Sequence, residues 1–285
     1  MESDVPGYAY SAHIGYLFTD RPMVERIASA MQCGFLAVEH PAPYSVPAAE
    51  MAGWLQSAGA RYTQLGLYSG DASKGEKGLG IFPDRRAEFR ESVTQALDYA
   101  ETVGASMVHA MAGILPPAQR AQHHWDCYVE NLAFAAREAR PRGIKIIVEA
   151  MSETAVPEYF FDSPAQAARA IGEAGEENIG LLLDVFHTVS AGLNVEEEIA
   201  KHAALLAHVH IADVPGRHEP GSGTVDFDKV ELALQMANYD GLLGCEYNPT
   251  GSTEAGLGWL RRKLHASPHR VEARPQGTTE CAADR

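Results

Sequence analysis

The sequence predicts a single (β/α)8 barrel of the TIM type, and three observations carry that expectation. The chain has 285 residues, and a barrel of this kind typically needs about 250. Short apolar runs alternate eight times with longer stretches whose apolar residues recur at three- and four-residue spacing, the pattern of a strand followed by an amphipathic helix. Runs such as IKIIV at 144–148 and IGLLL at 179–183 are almost continuously apolar, as parallel strands buried on both faces must be. The competing arrangement is an open doubly wound sheet. Its dinucleotide-binding versions carry Gly-x-Gly-x-x-Gly after the first strand, and the sequence has no such pattern there.

Taken in order, the candidate strands end near His13, Glu39, Gly66, Met111, Glu149, Asp184, His210 and Glu246, each followed by a helical segment. In the first helix Val24, Ile27, Ala28 and Met31 share a face, and in the third Phe89, Val93, Ala96, Leu97 and Ala100 do so. The barrel is expected over residues 1–265. After Leu264 the sequence ASPHRVEARPQGTTECAADR loses its periodicity and turns small and polar, so 266–285 is expected to be a disordered tail.

Composition narrows the function. Apolar residues make up 46% and charged residues 21%, which is ordinary for a globular interior. With 23 Lys plus Arg against 38 Asp plus Glu, the formal charge of −15 repels phosphate backbones, so nucleic acid is not an expected partner. No apolar run approaches the roughly 18 residues of a membrane span, and the start MESDVPGYAY is acidic where a signal peptide is basic. The expectation is a cytoplasmic enzyme, without membrane association, acting on a small molecule, with a homo-oligomer left open. Four scattered cysteines with no Cys-x-x-Cys suggest neither a zinc ribbon nor a disulfide framework.

In such barrels the chemistry lies at the C-terminal ends of the strands. Four consecutive candidate strands, the fifth to the eighth, end on polar groups: Glu149 in IIVEA, Asp184 in LLLDVFH, His210 in AHVHIAD and Glu246 in GCEY. A closed barrel brings three carboxylates and one imidazole to one spot. Three carboxylates do not stay ionised together in a dry site without a cation, and three oxygens with one nitrogen suit Mn²⁺ or Mg²⁺, with Co²⁺ and Zn²⁺ as further candidates. His187 lies just above the sixth strand, where it would polarise a substrate oxygen. The stretch DVPGRHEPGSG places Arg217, His218 and Glu219 in a glycine-bracketed loop over the mouth, and a planar guanidinium there matches a carboxylate. His13 and Glu39 are further candidate substrate contacts.

The blocks HVHIADVPGRHEPGSGTVDF and GCEYNPTGSTEAGLGWL, supported by GDASKGEKGLG, VHAMAG, YVENL and LLLDVFH, resemble the hydroxypyruvate isomerase family within the xylose-isomerase-like barrel superfamily. The resemblance runs from about Tyr8 to Leu264. It implies that Glu149 and Glu246 are the catalytic proton-transferring pair as well as metal ligands, and that Asp184 is a further ligand. Two positions depart from the family: His210 stands where Gln is frequent, as in the related ketose 3-epimerases, and His13 replaces a usual Asn. The implied reaction is aldose–ketose isomerisation between hydroxypyruvate and tartronate semialdehyde through an enediolate. A ketose 3-epimerase or 2-oxo-tetronate isomerase would use the same chemistry. An inosose-type dehydratase and an endonuclease IV-like phosphodiesterase are more remote members of the superfamily.

Overall fold

The computed structural model describes residues 7–266; the segment expected to form a tail lies outside them, save for Ala266, which ends the last helix. Nine parallel strands form one sheet: β1 (Tyr10–His13), β2 (Ala37–Glu39), β3 (Arg61–Tyr62), β4 (Gln64–Gly66), β5 (Met107–His109), β6 (Lys145–Glu149), β7 (Ile179–Asp184), β8 (Leu206–Ile211) and β9 (Leu243–Cys245). Their order is β3-β2-β1-β9-β8-β7-β6-β5-β4. The two ends of that order are consecutive in the chain, separated by Thr63 alone, so the sheet curls into the expected barrel. Its third strand is broken into β3, paired with β2, and β4, paired with β5. Thr63 keeps its place in the wall: its N–H donates to the Val38 carbonyl at 2.9 Å and its hydroxyl to Ser11 Oγ at 2.8 Å.

The strands are short and buried because helices cover the outside and side chains fill the inside. Every residue of β7, IGLLLD, is buried. Around the sheet run α1 (Met23–Gln32), α2 (Ala48–Ala58), α3 (Arg86–Val103), α4 (Gln122–Ala139), α5 (Pro164–Ala174), α6 (Val185–Ser190), α7 (Val195–Lys201), α8 (Phe227–Met236), α9 (Thr253–Gly256) and α10 (Gly258–Ala266). The predicted face of α3 is wholly buried. In α1 the buried stripe is Ile27, Ser29 and Ala30, and Val24, expected on it, is exposed. Two strand ends are corrected. β5 stops at His109, because Met111 and Ala112 turn away to meet Gly78 in the loop after β4. β9 stops at Cys245, leaving Glu246 just beyond the ladder. Among the described residues no helix is long and apolar enough to cross a membrane.

Candidate active site

The four polar strand ends converge. One ligand atom from each of Glu149, Asp184, His210 and Glu246 lies within 4.8 Å of the others. Asp184 sits opposite His210 in the β7–β8 pair, Glu149 opposite Leu182, two residues before Asp184, and His210 opposite Gly244, two residues before Glu246, so the side chains share the inward face and reach one spot from adjacent levels. Asp184 is also the N-cap of α6, where its Oδ1 accepts from the His187 N–H at 3.1 Å, an arrangement favoured for a carboxylate at a helix start.

The electrostatics divide the cluster. Burial pushes the Glu149 carboxyl well above the usual range, and Glu246 and Asp184 push it further. Burial opposes charge on Glu246 too, but Arg217 and His210 outweigh it and hold that carboxyl well below the usual range. His210 Nδ1 lies 2.8 Å from Glu246 Oε2. Although burial disfavours its cation, Glu246 and Glu39 raise the imidazole well above its ordinary value.

Arg217 supplies the cluster with a neutralising partner from within the chain. Its NH2 group is 2.8 Å from Glu246 Oε2 and 3.0 Å from Asp184 Oδ2, and its NH1 donates to the Tyr16 hydroxyl at 3.3 Å. The guanidinium carbon lies 5.3 Å from the Tyr16 ring centroid and 5.2 Å from that of Phe186, within cation–π range. Its Nε is buried and has no hydrogen-bond partner among the described residues. The loop that carries it folds around Asp213, a fully buried carboxylate accepting from the N–H groups of Val214, Gly221, Gly223 and Val225 at 2.8 to 3.0 Å. His218 and Glu219, predicted beside Arg217, turn elsewhere: His218 Nδ1 meets the Asn248 carbonyl at 2.7 Å, and Glu219 accepts from Thr250.

The remaining candidates take different places. His187 is buried, burial keeps it neutral, and its Nδ1 accepts from the Ser152 N–H at 3.1 Å; the ring proton is therefore on Nε2. His13 is buried with Nε2 3.7 Å from Glu246 Oε1, at the edge of the cluster. Glu39, a candidate substrate contact, is fully buried, and its two carboxylate oxygens face His208 and His210. Three site residues were not singled out from sequence. His109 is buried, 3.8 Å from Glu149, and burial lowers its pKa to about 3. His208 lies one layer below His210, a position the alternation in HVH marks, since residues two apart share a strand face. Tyr16 follows the first strand in a turn that carries no period.

The residues fit a divalent cation. The donor set is three carboxylates and an imidazole, converging at a spacing that a single ion spans. Glu149 Oε1 is buried without a hydrogen-bond partner among the described residues, a cost that a cation in contact with it removes.

A barrel whose strand ends bring acid–base and ligating groups together at one mouth is an α/β-barrel enzyme site. The chain belongs to the xylose isomerase-like TIM barrel family, whose pattern matches residues 27–263, and it is an isomerase. It is 35% identical over 250 residues to the 2-oxo-tetronate isomerase of Pectobacterium atrosepticum, covering 88% of this chain and 95% of the relative. It is 31% identical over 251 residues to the hydroxypyruvate isomerase of Escherichia coli K12, covering 88% and 97%. Among solved structures, a Brucella melitensis protein described as an AP endonuclease of family 2 superposes with a TM-score of 0.87 at 31% identity, covering 90% of this chain and 98% of that one.

Proposed function

We propose that this protein is a divalent-metal-dependent aldose–ketose isomerase that interconverts hydroxypyruvate and tartronate semialdehyde. The observation that supports this reading most is the placement of Glu149, at the end of β6, and Glu246, just after β9, two strands lying between them in the sheet, around one spot that Arg217 also reaches. Moving a carbonyl by one carbon requires a proton to leave one carbon and another to arrive at its neighbour. Two carboxylates flanking the same pair of carbons supply an acceptor and a donor. One glutamate would take a proton from carbon 3, giving the enediolate, and the other would return one to carbon 2.

The surrounding groups have matching tasks. His187 would donate from Nε2 to the substrate oxygen that gains charge, because its Nδ1 is engaged by Ser152. Arg217 would hold the substrate carboxylate through its guanidinium, which already reaches Glu246 and Asp184 in the cluster. A cation held by Glu149, Asp184, His210 and Glu246 would supply Lewis-acid stabilisation of the developing negative charge.

A four-carbon 2-oxo-tetronate is the second reading, favoured by the name of the Pectobacterium relative; it carries the same carbonyl at carbon 2 beside a hydroxylated carbon 3. A phosphodiesterase activity fits less well, because the net charge of −15 repels nucleic acid and the cluster holds a single imidazole. One assay tests the proposal: purified protein with added Mn²⁺ in deuterated water, offered hydroxypyruvate, 2-oxo-tetronates and keto-sugars. Isomerisation of the keto acids with carbon-bound deuterium incorporation is expected. Preference for a neutral ketose would favour 3-epimerisation, and a product lighter by one water would favour a dehydratase.

A further inference from the structure

One layer below the carboxylate cluster, Glu39 grips two imidazoles. Its Oε2 is 2.9 Å from His208 Nε2 and its Oε1 is 3.4 Å from His210 Nε2. The two rings meet edge to face, with centroids 4.9 Å apart and planes at 81°. Glu39 and His208 are fully buried and His210 nearly so. The other nitrogen of His210, Nδ1, faces Glu246 in the cluster above. Space for the grip is left by Gly244 on β9, which pairs with His210 across the sheet. A Cβ at that position would lie 2.2 Å from Glu39 Oε1, 2.6 Å from His210 Cδ2 and 2.8 Å from His208 Nε2. No side chain other than hydrogen fits there with the three polar groups in place.

We propose that Glu39 is a positioning residue that, braced by His208 and given room by Gly244, holds the His210 ring with Nδ1 toward the carboxylate cluster as a neutral cation ligand. The inference rests on the metal-dependent reading above and adds how the nitrogen ligand is set. A carboxylate accepting the Nε2–H of an imidazole fixes the tautomer, leaves the lone pair on Nδ1, and increases its donor strength. Outer partners of this kind change metal affinity by about 10- to 100-fold when removed. Glu39 Oε2 is bound to His208, and Oε1, 3.4 Å from His210 Nε2, has no hydrogen-bond partner among the described residues, so it is the acceptor open to the His210 Nε2–H.

The test uses the full chain with Mn²⁺ as probe. Mn²⁺ dissociation constants would be measured by electron paramagnetic resonance for wild type, Glu39→Gln and Gly244→Ala, alongside melting of the metal-free proteins. Both substitutions are expected to weaken Mn²⁺ binding by roughly 10- to 100-fold, although neither residue belongs to the donor set of Glu149, Asp184, His210 and Glu246. A purely structural role would lower the melting temperature and leave the affinity unchanged, and that outcome overturns the proposal. A second measurement needs no variant: in wild type loaded with Co²⁺ and labelled with ¹⁵N-histidine, a shifted, slowly exchanging N–H is expected on Nε2 of the ligating ring. Ligation through Nε2, or rapid exchange of that proton, overturns the assignment even if Glu39→Gln does not fold. Wild type that binds no Mn²⁺ overturns the metal reading itself. Wild type and Glu39→Gln that bind it equally tightly overturn only the role of Glu39.

Discussion

At the scale of single residues, Arg217 and the two glutamates carry the sharpest consequences. The guanidinium is shared between two cluster carboxylates and its buried Nε has no partner among the described residues, so its removal is expected to affect both charge balance and substrate binding. Hydrogen bonds to charged groups contribute about 1.5 to 3 kcal/mol, so Arg217→Ala is expected to lower kcat/KM on hydroxypyruvate by roughly ten- to a hundredfold. The loss on a neutral ketose should be smaller, and equal losses on both would count against carboxylate recognition. Glu149→Gln and Glu246→Gln should each abolish turnover, because an amide accepts no proton at neutral pH, and hydrogen exchange between substrate and deuterated water should vanish in at least one. Near-normal isomerisation in both variants with metal bound would refute the two-glutamate mechanism. Glu149, Asp184, His210 and Glu246 were legible in the sequence because each ends an apolar run. The role of Glu39 was not: an acid at a strand end looks the same whether it faces the mouth or two buried histidines contributed by a strand far along the chain.

At the scale of elements, the loop after β8 depends on one carboxylate. Asp213 collects four backbone N–H groups and so fixes the path that brings Arg217, at a positive φ of 57°, back over the cluster. Asp213→Ala leaves those donors to water or unpaired, and a loss of roughly 2 to 4 kcal/mol in stability is expected from charge-assisted bonds of this kind. Because the loop carries Arg217, the variant should also lose activity on hydroxypyruvate in the manner of Arg217→Ala. Denaturant unfolding and steady-state kinetics on the same preparation check both; full activity in a destabilised protein would separate the loop from the site. Periodicity showed where elements lie better than where they stop or turn. It placed α3 correctly, since a long helix offers several turns of evidence. In α1 it grouped Val24 with the buried stripe although Ile27, Ser29 and Ala30 are the buried residues, with Met23 and Met31 partly covered and Val24 exposed. The early end of β5 follows from Gly78 meeting the chain at Met111, a contact between two loops that no local pattern encodes.

At the scale of the whole molecule, the ring closes even though Thr63 interrupts its third strand, and closure is what turns four charges spread over about a hundred residues into one buried cluster. That concentration ties stability to cation and pH. Without a cation, Glu149 has its carboxyl raised by burial and by Glu246 and Asp184, whereas His210 is raised by Glu246 and Glu39 against the effect of burial. Both groups hold protons more tightly folded than unfolded. Their contribution is therefore full below the unfolded values and is lost as pH rises through the raised folded ones. A cation competes for the same sites, so its affinity should increase as those protons leave. Chelation is expected to abolish activity, with Mn²⁺, Mg²⁺ or Co²⁺ restoring it. Saturation to a hundred times the dissociation constant adds about 2.7 kcal/mol, which for a chain of this size corresponds to a rise in Tm of roughly 5 to 10 °C. The gap in Tm between chelated and Mn²⁺-loaded protein should widen as pH rises through the raised values of Glu149 and His210, because the metal-free form weakens while the loaded form gains affinity. Calorimetry across that range, repeated in buffers of different ionisation enthalpy, should also register proton release on Mn²⁺ binding. A gap that narrows with rising pH, or binding without proton release, would mean that Glu149 and His210 are not the groups the cation meets.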